Sequence, residues 1–349
     1  MRIAQVAPLW ERVPPPAYGG IELVVSFLTD ELVRRHHDVT LFATGDSQTE
    51  AELVAAIAEP IRGNEAIEEP MVYEMIQLQQ LLERLDNFDI IHIHKWIPPL
   101  PIAHIIKRPT VYTMHSNFGK DHRKLYTRYP EQNFVSISRA QQDLAPQLNY
   151  IATVYNGIDP GRFPFVEQPQ DPPYLAFLGR MSPNKGPHHA IAVAKQLGLP
   201  LKLAGKVDKK DRDYFEQEVA AHFDEAQIQY LGEVNHAEKT QLLGHAIATL
   251  FPITWHEPFG LVMVESMATG TPVVAMRMGA VPEVIEPGKT GFICNDVEDM
   301  ISSVSQVDQI DRRRCRQRVE QHFSYEAMTD SYLAVYEQVL SSAPPQKVA

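Results

Sequence analysis

Cysteine is almost missing from this chain. Among 349 residues only Cys294 and Cys315 carry a thiol, which gives no disulfide framework and no Cys-x-x-Cys metal pair. A reducing cytoplasm is the compartment that implies. Positive charge is also short. The 32 Lys and Arg stand against 44 Asp and Glu, a formal charge of −12, which argues against nucleic acid as the main partner because phosphate neutralisation needs surplus cations. Long apolar runs are missing too: nothing approaches the roughly 20 residues of a membrane span. The start, MRIAQVAPLW, lacks the basic flank and cleavage site of a leader. The expectation is a soluble, cytoplasmic protein with at most peripheral membrane contact. Its 44% hydrophobic and 22% charged residues are ordinary for a globular chain, and its length favours two domains.

What is present alternates. Short apolar or β-branched runs, read as strands, are separated by helical periodicities, the pattern of parallel α/β layers. Strands are expected over 3–7, 39–43, 90–93, 110–114, 134–136 and 151–154 in the first half. In the second half they are expected over 174–178, 201–204, 229–231, 248–251 and 272–275. Helices are expected near 22–35, 71–85, 188–197, 211–223 and 236–245. Five prolines and no periodicity mark the stretch PGRFPFVEQPQDPPY as a linker. The resulting division is a first domain over 1–160, a linker over 161–173, a second domain over 174–324, a helix over 325–342 and a disordered tail, 343–349. In such sheets ligands bind beyond the carboxyl ends of the strands.

The most informative stretch is HEPFGLVMVESMATGTPVVA, from His256 to Ala275. Pro258 disfavours a helix before it, Gly270 closes one after Thr269, and the run between them reads as a short helix. The backbone N–H groups of Phe259, Gly260 and Leu261 then sit at its positive end. Glu257 precedes them and Glu265 follows about a turn inside. A helix end of this kind takes a phosphate, and flanking carboxylates take hydroxyls. A nucleotide-sugar presents both groups. Arg180 and Lys185, after the strand YLAFL, can reach a diphosphate, the Arg by a fork and the Lys as a point charge. Gly19 and Gly20 precede the first helix, where backbone can approach a phosphate closely. The GxGxxG of a dinucleotide-binding fold is missing there. His92 and His94, spaced by two on one strand face, could look like metal ligands, but no third ligand is evident.

These residues resemble the retaining, nucleotide-sugar-dependent glycosyltransferases of family 4. The likeness follows the chain from Tyr18-Gly19-Gly20 through His115 and Asn156-Gly157-Ile158-Asp159 to Gly179-Arg180, Lys185-Gly186 and the Glu257–Glu265 motif. It implies a GT-B architecture, two Rossmann-like domains facing each other across a cleft, with the nucleotide on the second, the acceptor on the first and the last helix crossing back. It implies that Glu257 holds donor-sugar hydroxyls, Glu265 the ribose, and Gly19 and Gly20 the donor phosphates. His115 would contact the transferred sugar, while Arg180 and Lys185 neutralise the leaving diphosphate. UDP is the family's commonest donor nucleotide, and two fixed cations stand in for a metal, so no cofactor is expected. The acceptor would be a small molecule, lipid or glycan. His94 and the basic stretch 120–129, with Lys120, Arg123 and Lys124, are its candidate lining, although such a stretch is also the ordinary look of a solvated helix face. Two rival readings are a GT-B-fold nucleotide-sugar epimerase or hydrolase, and a catalytically inactive nucleotide-sugar-binding protein. Acceptor-dependent product formation separates them from a transferase.

Overall fold

A computed structural model describes residues 1–16, 19–94, 99–103, 105–117, 119–224 and 226–342. The tail expected to be disordered, 343–349, lies outside the described residues, as does Tyr18. The chain divides into two compact units, Met1–Gly157 with Tyr325–Ala349, and Ile158–Ser324.

In chain order the first unit holds β1 (Arg2–Val6), α1 (Gly20–Arg34), β2 (Asp38–Ala43), β3 (Glu52–Ala55), α2 (Pro70–Leu82) and β4 (Ile90–Ile93). These are followed by β5 (Thr110–Met114), α3 (Lys120–Tyr126), β6 (Asn133–Ser136), α4 (Arg139–Gln142) and β7 (Tyr150–Thr153). The seven strands are parallel in the order β3-β2-β1-β4-β5-β6-β7. The central ones are buried on both faces, which is why they read as continuous apolar runs. Strand β3 was not expected. It is a four-residue edge strand with only Val54 buried, so it has neither the length nor the alternation that marks a strand.

The second unit holds β8 (Leu175–Leu178), α5 (Pro187–Leu197), β9 (Leu201–Ala204), α6 (Arg212–Tyr214), β10 (Ile228–Tyr230), α7 (His236–Gly244) and β11 (Ala248–Phe251). Then come α8 (Leu261–Ala268), β12 (Val273–Met276), α9 (Val281–Val284), β13 (Gly291–Cys294), α10 (Val297–Val304) and α11 (Arg312–His322). Its six parallel strands run β10-β9-β8-β11-β12-β13. The single helix expected over 211–223 is instead α6, a π-helical turn over Phe215–Val219 and a 3-10 turn over Ala220–His222. That path sets Phe215 against Phe223 and Tyr230, with ring centroids 5.9 and 5.1 Å apart.

The stretch expected as a linker, 161–173, belongs to this second unit. Val166 N–H donates to Thr269 O at 2.9 Å and Gln170 N–H to His245 O at 2.9 Å. The buried Arg312 guanidinium donates to Val166 O at 2.8 Å and Ala246 O at 3.0 Å, and also binds the Gly244 carbonyl. Proline removes backbone donors, so a Pro-rich strap needs few partners to lie flat on a domain. At the margins of this unit Ile158 pairs with Ser324. The last helix, α12 (Tyr325–Ser342), belongs to the first unit and packs on α1 and β5.

Candidate active site

Each sheet reverses its winding beside its first strand, between β1 and β4 in one unit and between β8 and β11 in the other. The residues singled out from the sequence gather beyond the carboxyl ends of those strands, where ligands bind in open α/β sheets.

In the second unit the loop after β8 carries Arg180 and Lys185 and ends at Gly186, φ 71°. A Cβ there would lie 2.1 Å from Pro252 O, so only glycine lets this loop close on the one that follows β11. Thr254 N–H donates to Asn184 O at 3.0 Å and completes the join. The joined loops hold Lys185 in an ion pair with Glu257, which also accepts from Trp255 Nε1 at 2.8 Å. The Lys185 ammonium stands 5.1 Å from the Trp255 ring centroid. Glu257 is buried, and its backbone is clamped from the far side. Gly279, φ 51°, passes so close that a Cβ would sit 2.1 Å from Glu257 O. Ala280 N–H donates to that same oxygen at 3.0 Å.

Helix α8 begins one step further on. Gly260 is its N-cap, with no side-chain cap, so the helix end keeps its backbone donors. Phe259 turns its ring into the core against Phe323, centroids 5.9 Å apart, and only its backbone can serve the site. Glu265 lies a turn inside, buried, with its carboxylate 2.5 Å from Lys239 Nζ. Arg180 meets Asp208 at 3.2 Å, and Lys206 stands 3.8 Å from the same carboxylate. Four cations thus face three carboxylates around an uncapped helix end. Lys206, Asp208, Trp255 and Lys239 were not anticipated. The one available signal for Lys239 was the capping box of Asn235 and Glu238, which starts α7 just before it.

Among the described residues of the first unit, the ends of β4 and β5 carry histidines in place of ion pairs. Gly19 is the N-cap of α1, which starts at Gly20, while His94 follows β4 and His115 follows β5. All four line a cavity of about 400 Å³ with Trp10 and Glu22. Burial pushes the His115 imidazole down to about 3, and those of His92 and His94 lie well below their ordinary value for the same reason. Burial pushes Glu22 up to about 7. Glu22 was also missed, because a glutamate in a helix's first turn is commonplace. The His92 and His94 rings lie 3.9 Å apart, but both nitrogens of His92 are taken, by Tyr336 and Thr113. Among the described residues no group of three His, Cys, Asp or Glu side chains could hold a metal ion. An Asp-x-Asp, a motif by which glycosyltransferases of other kinds hold a divalent metal, was not expected in this chain, yet Asp211-Arg212-Asp213 forms one at the start of α6.

The basic stretch forms α3. Lys120 and Lys124 are exposed, the latter paired with Asp121 at 3.0 Å. Arg123 is half-buried and donates to Leu144 O at 3.2 Å, which gives it a structural duty.

Comparison with known proteins completes the picture. The profile described as "Glycosyltransferase Family 4" matches residues 18–162, and "Glycosyl transferases group 1" matches residues 162–322. This chain belongs to glycosyltransferase family 4. Among curated relatives, glycogen synthase of Mycobacterium tuberculosis is 27% identical over 396 residues, covering 96% of this chain and 94% of that protein. Among solved structures, sucrose-phosphate synthase from Thermosynechococcus elongatus superposes with a TM-score of 0.80 at 18% identity, over 98% of this chain and 100% of that one. Anabaena HepE in complex with UDP-glucose gives 0.74 at 17%, over 97% and 100%. The fold is GT-B, and the protein is a glycosyltransferase. Among the described residues of this family 4 enzyme, no helix is long and apolar enough to cross a membrane.

Proposed function

We propose that the enzyme moves a hexose from a nucleoside-diphosphate sugar, UDP-linked, to an acceptor hydroxyl with retention of anomeric configuration and without a metal ion. The observation that carries this reading is the pairing of Lys185 with the buried Glu257 just before the uncapped start of α8. Glu265 is buried a turn inside that helix against Lys239, and Arg180, on the same loop as Lys185, is held by Asp208. A diphosphate fits the cations and the helix end, and the carboxylates fit sugar and ribose hydroxyls.

In the free protein Lys185 rests on Glu257 and Lys239 on Glu265. Each pair keeps a half-desolvated charge compensated until a ligand replaces the partner. Donor phosphate takes over from Glu257 at Lys185, and Glu257 turns its oxygens to the sugar. In the transfer, the bond from the anomeric carbon to the diphosphate oxygen breaks. The bond to the acceptor oxygen forms on the same face, and the acceptor's proton passes to the departing phosphate oxygen. The negative charge that develops there meets Arg180, Lys185 and the helix end, preorganised donors of the kind that stabilise a transition state. HepE's structure with UDP-glucose and the uridine nucleotides common in the family support the base.

Thermal-shift titration with UDP, GDP and ADP, each in excess EDTA, tests the reading. UDP should raise the unfolding temperature most, as binding to the folded state requires. A larger shift with GDP or ADP overturns the base, and shifts that appear only with manganese or magnesium overturn the metal-free claim.

A further inference from the structure

Beneath His115 runs a continuous polar chain. Nε2 of His115 lies 2.8 Å from Nδ1 of His94, and Nε2 of His94 lies 2.8 Å from Gln5 Oε1. Gln5 Nε2 donates to the Tyr336 hydroxyl at 2.9 Å, which lies 2.7 Å from His92 Nδ1. His92 Nε2 is 2.7 Å from Thr113 Oγ1, itself 3.1 Å from the Tyr332 hydroxyl. His115 is partly buried and every other member fully so, and Tyr332 and Tyr336 both come from α12.

The chain has a direction. An amide oxygen only accepts, so the hydrogen between Gln5 and His94 sits on Nε2 of His94. Burial keeps that ring neutral, so its Nδ1 is an acceptor, and the hydrogen between the two rings belongs to Nε2 of His115. Neutral His115 then has one nitrogen without a proton, Nδ1, on a ring that lines the 400 Å³ cavity. If the Gln5 amide were turned over, its NH₂ would face His94, every bond toward the cavity would reverse and His115 would offer an N–H.

We propose that Gln5, hydrogen-bonded to Tyr336 of α12, is a positioning residue that selects the tautomer of His115 and so makes Nδ1 a hydrogen-bond acceptor for a substrate hydroxyl. Only the hydroxyl rests on the function proposed above. The selection is a property of the protein alone. It ties α12 to the site through Tyr336, which meets Gln5 and His92, and Tyr332, which meets Thr113. A glutamine in a strand buried on both faces is unusual: Ile3, Ala4 and Val6 beside it in β1 are buried and apolar, and Gln5 is itself fully buried.

Long-range ¹H–¹⁵N correlation spectra of the full chain labelled at histidine nitrogens test this, with His115 assigned by the signals lost in His115→Gln. Wild type should show Nε2 protonated and Nδ1 bare, unchanged from pH 6 to pH 8. Gln5→Met fills the same volume without polar atoms and should give a mixture of the two tautomers. Gln5→Glu offers only acceptors to His94 and should restore the single wild-type pattern. A protonated Nδ1 in wild type overturns the proposal, and so does a Gln5→Met spectrum identical to wild type. Should Gln5→Met not fold, wild type and Gln5→Glu decide. No substrate is needed, so these outcomes stand apart from the nucleotide titrations.

Discussion

The two units share a strand order and place their functional residues at the same edge of the sheet, yet the chemistry at those edges is opposite. In the first unit the side chains joined beneath His115 are neutral. Three imidazoles, an amide and two phenols bond to one another, and burial holds the imidazoles uncharged. In the second unit the site is built on ion pairs: Lys185 with Glu257, Lys239 with Glu265, and Arg180 and Lys206 sharing Asp208. The winding of a doubly wound sheet therefore supplies a place and not a chemistry. A neutral wall suits uncharged hydroxyls. A set of compensated charges beside an uncapped helix end suits a diphosphate, which can exchange for the carboxylates at little desolvation cost.

The sharpest way to break that contrast is pH. His92, His94 and His115 have pKa values lowered in the fold, so their contribution is present above their unfolded value of about 6.5 and is lost as pH falls toward about 3. Three such groups give a slope approaching about 4 kcal/mol per pH unit below pH 6. Glu22 works the other way. Its pKa is raised to about 7, so its contribution is present below the unfolded value and is lost as pH rises through 7. Urea midpoints from pH 4.5 to pH 8 should fall steeply on the acid side in wild type. Glu22→Gln should lift the midpoint above pH 7, by up to about 3 kcal/mol. A flat acid limb would mean the histidines are not neutral in the fold.

The next effect lies in the ionic unit. Glu265→Ala should weaken binding of free UDP by about 2 kcal/mol, roughly thirtyfold. Glu257→Ala should leave free UDP nearly untouched and lower turnover of the sugar donor. Calorimetry with UDP alone separates the two, and equal losses would contradict the assignment. The smallest effect belongs to α3 and the residues just after it. Replacing Lys120, Lys124 and Arg128 with Gln should raise the KM of an anionic acceptor a few-fold at low salt and leave UDP affinity intact, because exposed charges are weak and screened. Arg123 is left alone because it bonds Leu144 O. Unchanged acceptor kinetics would make the segment a solvated helix face.

Much of this was legible in the sequence, for identifiable reasons. The central strands are buried on both faces and announce themselves as apolar runs, whereas edge strands such as β3 and β13 are short and half-exposed and do not. Glu257, Glu265, Arg180 and Lys185 stood out because each sits at a fixed offset from a proline, a glycine or a strand end. Their partners did not: Lys239 comes from α7 and Asp208 from the loop after β9, so spacing carries no information about them, and Trp255, two residues before Glu257, carries no proline or glycine offset of its own. The polar chain was illegible for the same reason, since Gln5 and Tyr336 are 331 residues apart. The strap over 161–173 was read as a linker because prolines mark a break in periodicity, and that signal is the same whether the segment hangs free or lies on a domain.

The central claim is that fixed cations, and no metal, hold the diphosphate on the second unit. Calorimetric titration of UDP into wild type and Lys185→Ala, each with and without excess EDTA, tests it most directly. The account predicts one wild-type affinity in both buffers and about a hundredfold loss in Lys185→Ala, some 2.7 kcal/mol for a charged hydrogen-bond partner. Wild-type binding that collapses in EDTA and returns with manganese, or a Lys185→Ala affinity equal to wild type, would contradict it.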